Sequence, residues 1–321
     1  MREAFERYQV VVYLVAIVVG LVVGARSPAT ADLLGALIWP LLGVLLYATF
    51  TQVPLIRLRY GLANARFLAP AVLGNFAAIP LIVWGLVQWL PDEPGLRLGV
   101  MLVLLLPCTD WFLSFTHLGG GDTSTAIAFT PLSLLLQLAL LPLYLWLFLG
   151  QATLAGVAQR ELLLAFGGLI VVPLLLAFAT ERWAKDVVSR QRCVEALGWL
   201  PVPLLALVLC AVAAGQLETL STAPGILLRL LPLYAAFLAL AAGLAWLMSR
   251  AFDLPVAQGR VLAFSFGSRN SFVVLPLALA LPAGFDIAVV VVVFQSLVEL
   301  VGMLVFLHVV PRWLFPGSTS T

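Results

Sequence analysis

The chain has 321 residues, of which 63% are hydrophobic and only 10% are charged, and its mean hydropathy is +1.12. Soluble domains run at about 45–50% apolar and about 25% charged, so the composition excludes a soluble globular enzyme and a disordered chain. The net charge of +2 comes without a basic run, which excludes a nucleic-acid partner. Long unbroken apolar stretches predict an all-α polytopic membrane protein rather than a transmembrane barrel.

Apolar segments follow one another along the chain, and each is near the length of about 20 residues that a helix needs to cross a bilayer. The sequence predicts ten transmembrane helices, at 8–25, 33–54, 67–90, 98–118, 123–149, 162–180, 197–216, 226–248, 258–281 and 286–310. The first segment lacks a small-residue cleavage site, so we do not expect a cleavable signal peptide.

The basic residues indicate the orientation of these helices. With the N-terminus in the cytoplasm, most basic residues fall on the inner side, and the outer side receives only Arg26, Arg97, Arg160 and Arg229. We therefore expect a multi-pass plasma-membrane protein with both termini in the cytoplasm. The arginine-rich, lysine-poor composition suggests a bacterial inner membrane.

The ten segments divide into two sets of five, at about 8–150 and 160–312, within one transmembrane domain over 1–321. Because five is odd, a repeated second half must be inverted in the membrane. A Trp-Pro-Leu-Leu run at 39–42 and a Trp-Leu-Pro run at 199–201 are weak echoes of such a repeat.

The fourth and ninth segments are interrupted by polar residues at 107–110 and 267–271. Interrupted helices at matching places in two halves indicate a transport site near the bilayer midplane, because freed backbone groups must face protein, water or a ligand. The alternative is a pair of proline kinks whose polar side chains are satisfied internally. The predicted substrate contacts are Cys108, Thr109, Asp110, Asn75, Ser268, Arg269, Asn270 and Ser271.

Ionisable residues inside the predicted helices carry further hypotheses. Asp110 and Arg269 are expected to pair, or one of them to face a water-filled cavity, and a purely structural ion pair is the alternative. Glu299 and Asp110 are the two candidate proton carriers. An acid such as Glu299 in apolar surroundings can hold a proton; a structural, hydrogen-bonded Glu299 is the alternative. Cys108 offers a soft thiol that suits metalloids, although a membrane cysteine is usually a small hydrophobe.

The chain lacks the motifs of several other functions. The glycines at 119–121 are not followed by the Lys and Ser or Thr of a nucleotide loop. No HExxH or GxSxG motif is present, so we expect neither an enzyme nor a cofactor. A single cysteine within the membrane cannot build a thiolate metal site. The function that these absences leave is secondary transport of a small molecule.

Several of these residues resemble the arsenical-resistance permeases, which are arsenite exporters within the bile acid/arsenite/riboflavin transporter superfamily. The Pro-Cys-Thr run at 107–109 with Gly-Asp at 121–122 resembles their fourth-helix signature. Asn75 followed by Pro80 resembles their third-helix pattern, and the run at 297–304 resembles their tenth helix. The resemblance covers roughly residues 10–312.

The resemblance implies a bile acid:sodium symporter fold of two inverted repeats, with a panel domain, a core domain and broken helices that cross in the core. It implies alternating access and the export of arsenite or antimonite by a proton-coupled antiporter. The cysteine after the proline is functionally important in the arsenite permeases, which points to Cys108.

The ninth segment departs from both kinds of relative. Arsenite permeases carry an acid where this chain has Val273, and sodium-coupled bile acid relatives carry Glu and Gln where this chain has Ser265 and Arg269. A guanidinium in the place of the ion leads us to expect no sodium site, because it would repel another cation. Arg269 is then either a counterion for Asp110 or an anion clamp, and the clamp suits the alternative function, a sodium-independent organic-anion carrier.

Overall fold

The computed structural model describes residues 2–55, 64–109, 111–156, 164–185, 187–216 and 224–317. These residues form helices and no strands. Within these described ranges, seven helices are long and apolar enough to cross a membrane: Ala29–Phe50, Ala65–Val87, Thr123–Tyr144, Phe166–Ala184, Val188–Gly215, Gly225–Ala251 and Ile287–Leu314. Val11–Arg26 and Pro94–Leu105 are shorter apolar helices. The protein is therefore a polytopic helical membrane protein.

The helices overlap every segment that the sequence predicts to be helical. They are α1 Arg2–Arg26, α2 Pro28–Phe50, α3 Ala65–Leu73, α4 Ile79–Val87, α5 Pro94–Leu105, α6 Trp111–Leu118, α7 Thr123–Gly156, α8 Val172–Ala184, α9 Val188–Leu197, α10 Pro201–Gly215, α11 Pro224–Ala251, α12 Val256–Gly267, α13 Ser271–Leu279 and α14 Ile287–Val309. The predicted interruptions of the fourth and ninth segments are confirmed as the gaps between α5 and α6 and between α12 and α13. The full set of ten crossings and the inverted repeat stay predictions.

Short π-helical turns adjoin three of these helices, at Gly74–Ala78 (π1), Phe166–Val171 (π2) and Val310–Leu314 (π3). A π-helical turn displaces the regular hydrogen-bond ladder and frees a carbonyl for another donor. In π1 the hydroxyl of Tyr144, from α7, donates to the carbonyl oxygen of Phe76 at 2.6 Å. The turn therefore fixes α7 against the middle of the third segment, next to Asn75.

The helices pack into two bundles. The small bundle contains α1, α2, π2, α8, α9 and α10, and the large bundle contains α3 to α7, π1, α11 to α14 and π3. The helix α13 of the large bundle also packs against α2 and π2 of the small one. Both interrupted segments thus lie in the large bundle, and one of them faces the small bundle.

Candidate functional site

The two interrupted segments cross at their gaps. At the crossing, the extended backbones pair as one antiparallel bridge. The amide of Cys108 donates to the carbonyl of Ser268 at 3.1 Å, and the amide of Asn270 donates to the carbonyl of Leu106 at 2.8 Å. Backbone groups that lie at membrane depth outside a helix need such partners. Each gap therefore supplies partners for the other, and the crossing is a fixed structure rather than a pair of independent kinks.

The side chain of Arg269 enters the large bundle, where the residue is only 2% exposed. Its Nη2 donates to Asn75 Oδ1 at 3.0 Å and to the carbonyl oxygens of Ser265 at 2.7 Å and Phe266 at 2.9 Å. Its Nη1 donates to the carbonyl of Leu104 at 3.4 Å. Elements π1, α12 and α5 therefore meet at one guanidinium.

Asn75 is oriented toward Arg269 by its own donors. Its Nδ2 donates to Ser265 Oγ at 2.9 Å and to the carbonyl of Ala71 at 3.1 Å. With the amide nitrogen used in this way, the oxygen faces the guanidinium. The sequence analysis singled out Asn75 and Arg269 separately, and the structure brings them together. Ser265, known there only as a departure from relatives, is the residue that joins them.

Glu299, on α14, binds the second gap from the opposite side. Its Oε2 accepts from the backbone amide of Arg269 at 2.9 Å and from Gln295 Nε2 at 2.7 Å. Gln295 Oε1 in turn accepts from Ser271 Oγ at 2.9 Å. The sequence analysis missed Gln295, although its spacing of four residues from Glu299 puts both side chains on one helix face. Glu299 therefore holds the backbone at the gap and the start of α13.

The gap between α5 and α6 contains the thiol of Cys108. Cys108 is 3% exposed and Thr109 is 1% exposed. Asp110, the predicted partner of Arg269, lies outside the described residues, so that pairing stays a prediction. Among the residues that the structure does describe, no carboxylate lies within 4 Å of the Arg269 guanidinium.

The second gap has its own capping contacts. Asn270 Oδ1 accepts from the amide of Val273 at 3.2 Å and so caps the N-terminus of α13. Ser268 Oγ donates to the thioether sulfur of Met303, on α14, at 3.3 Å. These predicted site residues therefore also have structural roles at the gap.

Three polar atoms at the crossing are buried without a hydrogen-bond partner in the described part of the chain: Arg269 Nε, Asn270 Nδ2 and Glu299 Oε1. Buried polar groups in folded proteins are nearly always hydrogen-bonded. Two open donors and one open carboxylate oxygen at a single crossing therefore have the capacity to bind a small polar molecule.

Aromatic rings join this crossing to the small bundle. Trp111, the first residue of α6, stacks on Tyr13 of α1 with ring centroids 6.1 Å apart. Phe272, in the first turn of α13, packs edge-on against Trp111 at 5.0 Å. Trp111 thus contacts the small bundle directly and Phe272 adjoins it through Trp111, an arrangement that the sequence did not predict.

A crevice of about 490 Å³ separates the bundles at the end of α13 that is far from the gap. Its lining residues come from both bundles: Trp39, Leu164, Ala165, Leu169, Leu279, Ala280 and Leu281. Leu279 lies eight residues beyond Ser271, or about 12 Å along the helix axis. The crevice therefore lies at the end of α13, away from the crossing.

A family model described as the sodium bile acid symporter family matches residues 39–223. The match covers more than half of the chain and includes the gap between α5 and α6. It ends before the gap between α12 and α13, which contains Arg269. A search among curated proteins finds no match.

Proposed function

The chain belongs to the sodium bile acid symporter family, and we propose that, within this family of secondary transporters, it exports arsenite in exchange for protons and without sodium. As a transporter it binds a small molecule and lies in the lipid bilayer, and it is not an enzyme. The observation that carries the arsenite proposal is the burial of the Cys108 thiol at the crossing.

The chemistry of the crossing suits trivalent arsenic. A thiol is a soft ligand and prefers soft metals and metalloids. Arsenous acid is neutral and carries hydroxyl groups that both donate and accept hydrogen bonds. The open donors on Arg269 and Asn270 and the open oxygen of Glu299 match such hydroxyls. A neutral cargo also avoids the cost of moving a charge through the bilayer.

Glu299 supports the proton coupling. Its carboxylate holds the gap through the amide of Arg269, and hydrogen bonds to an ionised acceptor are roughly twice as strong as neutral ones. Uptake of a proton would weaken this bond and loosen the start of α13. In this way a proton on Glu299 can change the gap that binds the cargo. Asp110 is the second candidate carrier, and it lies outside the described residues.

The division into two bundles supports alternating access. We propose that the bundles rock against each other across the Tyr13, Trp111 and Phe272 rings, with the crossing as the fixed binding site. The proposal includes ten helices in two inverted repeats, a plasma-membrane location and cytoplasmic termini. In that orientation the crevice beyond Leu279 lies on the outer side of the membrane.

The alternative cargo is an organic anion. The specific observation in its favour is that the two open donors, on neighbouring residues 269 and 270, suit a carboxylate. Against it, both terminal nitrogens of Arg269 already donate to protein oxygens. The guanidinium therefore cannot offer the two-pronged grip that makes arginine a strong carboxylate binder.

The test is arsenite and antimonite tolerance in cells that lack their own exporters. The wild type should confer tolerance, and Cys108→Ala should reduce it to the level of cells without the protein. Cys210→Ala is the matched control, because that cysteine lies on α10 in the small bundle. Retained tolerance in Cys108→Ala at equal protein level would exclude an essential thiol. No tolerance from well-expressed wild type would instead favour the organic anion.

A further inference from the structure

The family name implies a sodium ion, which would need a cluster of oxygen ligands. Four oxygens form such a cluster at the crossing: Asn75 Oδ1 and the carbonyl oxygens of Ser265, Phe266 and Leu104. Every one of these oxygens already accepts a hydrogen bond from the Arg269 guanidinium. This cluster therefore does not fit a bound sodium ion.

We propose that Arg269 is a resident cation, whose guanidinium permanently takes the oxygen cluster that a coupling ion would otherwise require. An arginine side chain keeps its charge under physiological conditions. It is also covalently tethered, so it cannot be exchanged for an ion from solution. A second cation at this distance would meet strong repulsion in a site of low dielectric constant.

The contacts of Arg269 are those of a cation held by neutral oxygens rather than those of a salt bridge. Three oxygens converge on Nη2 alone, within 2.7–3.0 Å. The nearest acid in the network, Glu299, binds the backbone amide of Arg269 instead of its guanidinium. The positive charge is thus directed into the oxygen cluster, and Glu299 lies on the other side of the backbone.

This assignment deepens the proposed function, because it names what replaces the coupling ion. In a sodium symporter the ion arrives and leaves with each cycle. Here the cation stays attached in every state, so cargo and protons alone would decide when the bundles move. Transport into vesicles should accordingly proceed at the same rate in sodium and in choline buffers.

The deciding experiment measures cation binding without any cargo. The purified full chain is heated in detergent in sodium, potassium or choline chloride at equal ionic strength. Wild-type melting temperature should be the same in all three. Arg269→Ala should melt lower, and sodium or millimolar guanidinium should raise its melting temperature by about 2 °C at ten times its Kd. Arg269→Lys, which keeps a positive charge, should stay indifferent to sodium.

Two outcomes would overturn the assignment. One is a wild type that sodium stabilises over choline, which would show that an ion site is open despite Arg269. The other is a folded Arg269→Ala that responds to neither sodium nor guanidinium. If Arg269→Ala cannot be purified, the melting temperatures of the wild type and of Arg269→Lys in sodium and choline still test the assignment. Because no arsenite is present, failure here and failure of the tolerance test are separate results.

Discussion

The small and the large bundle differ in the interactions that supplement close packing between their helices. In the small bundle α1 and α10 approach closely at glycines: a Cβ on Gly20 would lie 2.2 Å from the carbonyl oxygen of Cys210, and one on Gly24 would lie 2.5 Å from that of Ala214. The large bundle also has a close approach at a glycine, between α5 and α14, and buried polar side chains around Arg269 join its helices as well. Lipid supplies no hydrophobic drive between helices, so association rests on close packing or on interhelical hydrogen bonds. The bundle with the candidate site therefore depends on its polar groups for stability as well as for function.

The largest effect is expected from Glu299→Ala in the large bundle. The change leaves the Arg269 amide and Gln295 Nε2 without their acceptor. Each buried donor left unsatisfied costs about 1–3 kcal/mol of unfolding free energy. Thermal unfolding in detergent measures the loss. Glu299→Gln keeps an acceptor oxygen, so its melting temperature should lie between those of the wild type and Glu299→Ala. A Glu299→Ala protein as stable as wild type would mean that the polar network does not hold this bundle.

Close packing in the small bundle is tested by Gly20→Ala. The new Cβ would meet a backbone oxygen of α10, which cannot move away as a side chain can. We expect α1 and α10 to separate, at a cost of up to about 3 kcal/mol. Gly243→Ala, on α11 of the large bundle, is the control, because a Cβ there meets nothing within 4 Å. Equal melting temperatures for the two variants would contradict the role of glycine packing.

Only parts of the site could be predicted from the sequence. The gaps were predictable because proline and polar residues interrupt long apolar runs. Most partners of Arg269 could not be predicted, because they are the backbone carbonyl oxygens of Leu104, Ser265 and Phe266. Every residue type has a backbone carbonyl, so these partners leave no signal in the sequence. Gln295 was within reach, since its spacing from Glu299 is regular. The close approach of helices could not be predicted, because it depends on which glycine faces the backbone of a neighbouring helix.

The π-helical turns π1 and π2 offer a matched pair of glycines, one in each bundle. A Cβ on Gly74, in π1, would lie 1.9 Å from the ring of Phe266. That ring is fully buried, so it can shift only by disturbing its neighbours, and we expect Gly74→Ala to cost about 1–2 kcal/mol. Gly167, in π2 of the small bundle, has nothing within 4 Å of a new Cβ. Gly167→Ala should therefore be neutral or stabilising by up to about 1 kcal/mol. The Phe266 carbonyl also binds Arg269, so transport should fall in Gly74→Ala alone.

The smallest effects come from deleting one hydroxyl in each bundle. Ser265 Oγ accepts from Asn75 Nδ2, so Ser265→Ala leaves that donor with the Ala71 carbonyl alone and should cost about 1 kcal/mol. Thr49 Oγ1, on α2, is buried without a partner among the described residues. Thr49→Val removes an unsatisfied group at nearly constant volume, so stability should stay level or rise slightly. Melting temperatures of the two variants compare the bundles directly. If Thr49→Val is as destabilising as Ser265→Ala, the small bundle also relies on polar contacts, and the difference between the bundles is one of degree.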